Sequence, residues 1–188
     1  MAADDRIPPA EAEVEDTSNG KRPAGAGWYV LNATEAVWRA LPGWGRAVNF
    51  EPEEPRFAEF GINVQVLEPG EPNCRYHAED QQEDFLVLSG ECLLIVEGEE
   101  RRLGPWDFVH CPPGTRHVFV GAGKGPSVVV MVGARNPPEQ LEYPVDEAAL
   151  RHGAGVQVAT DSPAEAYADL TPPSEVPYEP GTLPDLGA

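Results

Sequence analysis

Short apolar runs, broken every few residues by Gly, Pro or charge, set the pattern of the middle of the chain from about Arg46 to Arg135. The runs are rich in β-branched and aromatic residues, and they are too short and too often interrupted for helices, so they read as strands joined by turns. The pattern predicts strands over Arg46–Phe50, Phe57–Leu67, Cys74–His77, Asp84–Leu88, Glu91–Val96, Glu100–Leu103, Phe108–Cys111, His117–Gly121 and Ser127–Gly133. Ser89-Gly90 and Glu97-Gly98-Glu99 have hairpin-turn chemistry, so successive strands are expected to pair antiparallel. Many short strands in so short a span make an all-β barrel or sandwich.

The flanks have different patterns. Residues 1–27 carry hardly a bulky apolar side chain, too little to offset the entropy of ordering, and are expected to be disordered or loosely attached. In residues 28–45, Asn32 with Glu35 three positions later precedes Val37, Trp38 and Leu41 at helical spacing, which predicts a short helix packed on the barrel and stopped by Pro42 and Gly43. Trp28, Trp38 and Trp44 are the residues expected to dock this segment. Residues 136–188 form a Pro-rich extension with two helix starts, Asp146 ahead of Ala148–Leu150 and the capping box Ser162-Pro163-Ala164-Glu165. From about Pro172 an extended tail is expected. No internal repeat is visible.

Composition narrows the function classes. At 188 residues and 20.3 kDa there is room for one core with appendages, and 21 Pro with 19 Gly argue for turns rather than a helix bundle. Thirteen Lys and Arg against 32 Asp and Glu give a formal charge of -19, which repels nucleic-acid phosphates and anionic membranes. No apolar run is long enough for a membrane helix, and the first 20 residues lack the basic start and apolar stretch of a signal peptide, so a cytoplasmic location is expected. Cys74, Cys92 and Cys111 are odd in number and lack metal-knuckle spacing. They read as ordinary thiols, with Cys92 and Cys111 as small buried hydrophobes.

The candidate chemistry lies in His77 and His117. Residues two apart on a strand share a face, so His77 and Glu79 can both point into a barrel. Glu83 opens the next strand, and Pro112-Pro113-Gly114 is a tight turn that aims His117. Neutral imidazole and ionised carboxylate converging on one interior point hold a divalent transition metal. The stretch from Gly70 through His77, Glu79 and Glu83 to Gly90 resembles the first cupin motif, G-x5-H-x-H-x3 or 4-E-x6-G. The stretch from Trp106 through Pro112, Gly114 and His117 to Gly121 is similar to the second, G-x5-P-x-G-x2-H-x3-N. The resemblance covers roughly Phe57 to Gly133. It implies a cupin-type antiparallel β-barrel (a double-stranded β-helix or jelly roll) with short flanking helices, and it implies that His77, Glu83 and His117 are metal ligands.

An ungapped register would place the two expected histidines on Tyr76 and Ala78 and turn His77 outward. A one-residue shift puts His77 at the first position and Glu79 at the second. A bulge near a site produces such a shift, and it is the preferred register. Gln82 is a competing neutral ligand, while Trp106 and Gly121 replace the usual Gly and Asn. The alternative is a barrel with a degraded metal site in which His77 and His117 are hydrogen-bonded pocket residues. Tyr76 and His110 are the only obvious proton carriers, and His110 is expected beside Trp106 or in the same pocket. His152 sits at a helix end, where the dipole accounts for it. Two function classes follow: a metal-dependent enzyme on a small molecule, a dioxygenase or isomerase using Fe, Mn, Ni or Zn, or a non-catalytic small-ligand binding or sensing module. A homodimer is expected, because single-domain cupins usually associate and because Trp28, Trp38, Tyr143 and Tyr167 supply aromatic surface.

Overall fold

A computed structural model describes residues 9–137 and 140–184. The strands in chain order are β1 Glu13–Thr17, β2 Gly20–Ala24, β3 Trp38–Ala40, β4 Arg46–Asn49, β5 Phe60–Leu67, β6 Ala78–Glu79, β7 Glu83–Ser89, β8 Glu91–Val96, β9 Glu99–Leu103, β10 Phe108–Cys111, β11 His117–Ala122, β12 Ser127–Ala134 and β13 Leu141–Glu142. Two short helices follow, α1 Glu147–Arg151 and α2 Pro163–Ala166, and the last strand is β14 Ser174–Val176. One sheet has the order β10-β7-β12-β5-β4-β3-β14, a second the order β11-β8-β9, and β13-β6 and β1-β2 are separate pairs. The pairing of named strands is antiparallel throughout. The protein is an all-β, cupin-type barrel with its helices confined to the flanks.

The barrel closes because the two main sheets bury their apolar faces on each other. Leu67 of β5, Phe85 and Val87 of β7, Leu94 of β8, Phe119 of β11 and Val129 of β12 form that core. The alternate face of the large sheet is also covered: Val48, Val66 and Val128 pack with Ala36 and Trp38 from the amino-terminal flank, and Tyr178 of the carboxy-terminal flank joins them. A third cluster seats Ala148 and Ala149 of α1 on Ile95, Val118 and Val120. The β8–β9 turn shows why Gly98 is needed: Glu97 and Gly98 have φ of 49° and 77°, the pair of positive values that matches a two-residue turn to strand twist.

The flanks depart from expectation. Asn32 starts only one turn, its side chain accepting from Thr34 N at 2.9 Å and its carbonyl from Glu35 N and Ala36 N. The chain then extends into β3, because burial of Trp38 in the outer cluster and pairing with β4 and β14 outweigh the propensity of a segment too short to hold a helix alone. Within the segment expected to be disordered, β1 and β2 form a hairpin, and Ala12 N donates to Trp28 O at 2.9 Å; residues 1–8 lie outside the described part. The expected tail after Pro172 returns to the sheet as β14. Cys74–His77 is irregular rather than a strand. The two carboxy-terminal helices form where their caps place them, with Asp146 accepting from Ala149 N and Ser162 from Glu165 N. Trp38 and Tyr143 are buried and Tyr167 is half-buried within their own chain. The aromatic surface cited for a homodimer is therefore spent on the barrel itself, and of the four only Trp28 is exposed, at 52%. Among the described residues no helix is long and apolar enough to cross a membrane.

One buried cation fastens the carboxy-terminal flank. Arg75 donates from Nε to Ala166 O at 3.2 Å, from Nη1 to Gly155 O at 2.9 Å and Gly153 O at 3.3 Å, and from Nη2 to both carboxylate oxygens of Asp169 at 2.7 Å. Its guanidinium also lies 4.7 Å from the centre of the Trp44 ring. Replacing Arg75 by Met strands several buried carbonyls, and urea unfolding should show a loss of about 3 kcal/mol. Asp169→Asn should cost only a fraction of that, because the Asp169 side chain is 68% exposed and solvent screens its charge. Equal losses in the two variants would mean that the ion pair, not the carbonyl network, is what holds the flank.

Candidate metal centre

Three separate segments deliver the candidate ligands. The Pro112–Thr115 turn, with Gly114 at φ +84° and Thr115 N donating to Pro112 O, ends where His117 opens β11. Gly114 N donates to Glu79 O at 2.7 Å, which ties that turn to β6. His77 lies immediately before β6 and bridges His117 through both backbone hydrogen bonds, at 3.2 and 2.8 Å. Glu83 is the first residue of β7. Ligand atoms of His77, Glu83 and His117 all lie within 4.8 Å of one another. The Glu79 carboxylate stands beside them, 3.3 Å from His77 Nε2, and Glu83 Oε2 is 3.4 Å from His117 Nε2.

The backbone fixes which nitrogen each ring presents. His77 Nδ1 is 2.8 Å from Arg75 O, and His117 Nδ1 is 3.0 Å from Thr115 O. A carbonyl only accepts, so Nδ1 must carry the proton in both rings, and the neutral tautomer places its lone pair on Nε2. Both Nε2 atoms face the carboxylates. Burial, followed by the neighbouring His77, pushes the pKa of His117 down to about 4, so its ring is neutral at ordinary pH. His77 is held well above the usual imidazole value: burial opposes its charge, but the Cys74 sulfur and the carboxylates of Glu79 and Glu83 outweigh it. Two carboxylates around two inward Nε2 atoms make a point that favours positive charge, which is the chemistry a divalent cation requires.

These four side chains line one cavity of about 620 Å³. Tyr76, adjacent to His77, points the other way: it is buried against Ile95 and Val118, and its hydroxyl accepts from Gly98 N at 3.1 Å. His77 and Glu79 are thus the inward pair, as in the shifted register. Gln82 is outside, donating to Asp84 Oδ2 at 2.6 Å. His110 is half-exposed, with Nδ1 2.6 Å from Asp84 Oδ1, and neither it nor Tyr76 lines the cavity. Cys92 and Cys111 are buried in the core, and burial drives both thiols up to about 12.

Other lining residues escape a search for ligand types. Gly61, Asn63 and Gln65 of β5 face the cavity while Val64 and Val66 face the outer cluster. Polar residues alternating with apolar ones in a strand buried on both sides were the signal for them. Asn73 is pinned, its Oδ1 accepting from Phe119 N at 2.9 Å. Arg135 is held at the wall by a two-pronged pair with Glu51 at 2.6 and 2.7 Å, and this pairing keeps the Glu51 carboxyl below its usual range. Cys74 lines the cavity with its sulfur 3.6 Å from His77 Nδ1.

Residues 63–133 match the family described as the cupin domain. This stretch is a cupin domain. His77, Glu79, Glu83 and His117 all fall inside it. No curated protein matches the chain. Among solved structures, a protein described as a sugar phosphate isomerase from Acidithiobacillus ferrooxidans is 28% identical over 53% of this chain and 65% of that one, with a TM-score of 0.46. The match therefore spans less than two thirds of that protein. A sugar phosphate isomerase from a cupin superfamily, from Silicibacter pomeroyi, is 26% identical over 54% and 72% of the two chains, with a TM-score of 0.47. The polyketide cyclase RemF from Streptomyces resistomycificus is 14% identical over 88% and 92%, with a TM-score of 0.46.

The three thiols of the protein should separate by reactivity. In the folded state a thiol reagent such as dithionitrobenzoate is expected to titrate one equivalent, lost in Cys74→Ser, while Cys92 and Cys111 react only in denaturant. Rapid modification of all three before unfolding would show that the core between the sheets opens.

Proposed function

We propose that this protein holds a divalent transition metal at His77, Glu83 and His117, with Glu79 as the fourth and replaceable ligand, and that it acts on a small molecule in the barrel cavity. The observation that carries the reading is the pairing of both Nδ1 atoms with backbone carbonyls, which turns both Nε2 atoms toward the two carboxylates. Two imidazoles and one carboxylate with an open side suit iron or zinc, and manganese or nickel remain compatible with such N and O donors. When bound, the metal supplies Lewis-acid or oxygen chemistry, so the reaction class is an isomerase or a dioxygenase. The chain's own residues orient the ligand: Asn63, Gln65 and Asn73 offer amides, and Arg56 and Arg135 offer cations around the same cavity. A second reading, a non-catalytic binding module, draws support from the placement of Tyr76 and His110 outside the cavity, which leaves Glu79 as the proton carrier nearest His77.

Metal analysis of purified protein should give one ion per chain, abolished in His117→Ala and only weakened in Glu79→Gln. Protons compete with the metal for both Nε2 atoms, and because His77 holds its proton well above the ordinary imidazole value while His117 takes one only near about 4, affinity should rise with pH and fall already as pH drops through neutrality. Full stoichiometry in His117→Ala would sink the metal assignment. Oxygen uptake or isomer exchange by the loaded protein, tested on small diketones, phenols and hydroxy-ketones, separates enzyme from binding module. We also propose a homodimer, now on the exposed Trp106 and Phe108 beside edge strand β10. Sedimentation should give about twice the 20.3 kDa chain mass, and Phe108→Glu should return the monomer; a wild-type monomer would end that proposal.

A further inference from the structure

The large sheet has one continuous inner face that runs beyond the metal centre. Across it, Val129, Gln65, Ala47 and Arg39 are successive backbone partners, as are Met131, Asn63 and Asn49. Partners in adjacent strands present their side chains on the same face, so β12, β5, β4 and β3 form a single floor. Over the β12–β5 part lies the cavity of the metal centre. Over the β4–β3 part lies a second cavity of about 420 Å³, roofed by the carboxy-terminal flank from Tyr167 to Pro173. Gln65 and Asn73 line both.

The two shared residues differ in how they are held. Asn73 is bonded to the backbone of β11, whereas the Gln65 side chain makes no hydrogen bond among the described residues. Gln65 is therefore free to turn its side chain between the chambers. The side chamber differs in chemistry from the main one: Leu41, Trp44, Tyr167, Leu170, Pro172 and Pro173 supply an apolar, partly aromatic wall. Of its charged members, Arg46 is tied to Glu179 and Arg39 is exposed. On the main-cavity side, Asn63 Oδ1 is buried without a hydrogen-bond partner, an acceptor available to a ligand donor.

We propose that the two cavities are one bent ligand site, which takes an amphiphilic molecule with its polar end at His77, Glu83 and His117 and an alkyl chain or aromatic ring in the side chamber, with Gln65 as the specificity-determining residue at the bend. Only the position of the polar end rests on the metal reading. The apolar wall and the shared border are independent of it.

Zinc-loaded full-length protein, titrated with acetohydroxamic, butanohydroxamic and octanohydroxamic acids, tests both parts. Each methylene that enters the side chamber should tighten binding about threefold, so the octano compound should bind at least about fiftyfold more tightly than the aceto compound. In methyl spectra the aceto compound should move Met131 alone, and the octano compound should move Met131 and Leu170 together. Ala47→Trp, which fills the side chamber, should reduce the ratio of the two affinities to less than about fivefold; Leu170→Arg serves the same purpose from the roof if the first variant does not fold. A flat affinity series, or a wild-type ratio retained in the variants, overturns the bent site, as does octanohydroxamate moving Leu170 without Met131. Acetohydroxamate that leaves Met131 unmoved counts against the metal reading instead, and octanoate titrated into the unloaded protein then decides the chamber: movement of the Leu170 and Met131 methyls together with the Gln65 side-chain amide upholds the bent site, and its absence ends it.

Discussion

A single buried guanidinium connects the frame of this protein to its site. In a chain with formal charge -19, Arg75 is withdrawn from solvent to 7% exposure and spends its donors on Ala166, Gly153, Gly155 and Asp169. Those acceptors belong to the carboxy-terminal flank, so the flank is anchored by geometry rather than by apolar area alone. The same residue's carbonyl accepts from His77 Nδ1 and sets that ring's tautomer. Its face lies against Trp44, a wall of the side chamber. Flank, ring orientation and chamber wall therefore share one anchor, and a shift in any of them is felt by the others.

The backbone holds the polar interior in place. Two imidazoles and two carboxylates inside a barrel would each carry a large desolvation cost if left alone. Here each ring gives its Nδ1 proton to a carbonyl and turns Nε2 to a carboxylate, and a backbone bridge between His77 and His117 removes the slack between the two segments. The unequal electrostatics of the two rings follow from the same arrangement. His117 is walled by Phe85 and Phe119 and loses charge, while His77 sits next to the Cys74 sulfur and the Glu79 carboxylate and favours it.

Much of the barrel was legible because its strands are β-branched and its turns carry Gly at positions that need it; β8 and β10 begin and end where the apolar runs do. The cluster of His77, Glu83 and His117 was legible because two imidazoles and a carboxylate lie at the strand and turn positions that resemble the cupin motifs. The flanks were not. Asn32 and Glu35 carry a helix-start signal, yet one turn cannot compete with the burial of Trp38 between β4 and β14, and that competition is tertiary. Tyr76 and His110 were proposed by side-chain chemistry alone. Alternation excludes both: Tyr76 neighbours the inward His77, and His110 pairs with Asp84 while their neighbours Cys111 and Glu83 face in. The register at His77 needed the bridge to His117 to be fixed, and no local signal carries that.

The division of labour within β5 explains where a ligand can go. Its inward positions are Gly61, Asn63, Gln65 and Leu67: the first three line the cavity and the last belongs to the core. Packing between the sheets thus begins at Leu67 and is given up over the three inward positions before it, where side chains are small or amide-bearing. An apolar residue at 63 or 65 would close the barrel and add stability at the expense of the opening, so these positions carry polar side chains where packing alone favours apolar ones. The outward positions Val64 and Val66 continue without a break into the outer cluster, so strand pairing and sheet stability do not depend on what the inner face carries. That independence lets one strand serve as structural wall on one side and as cavity lining on the other.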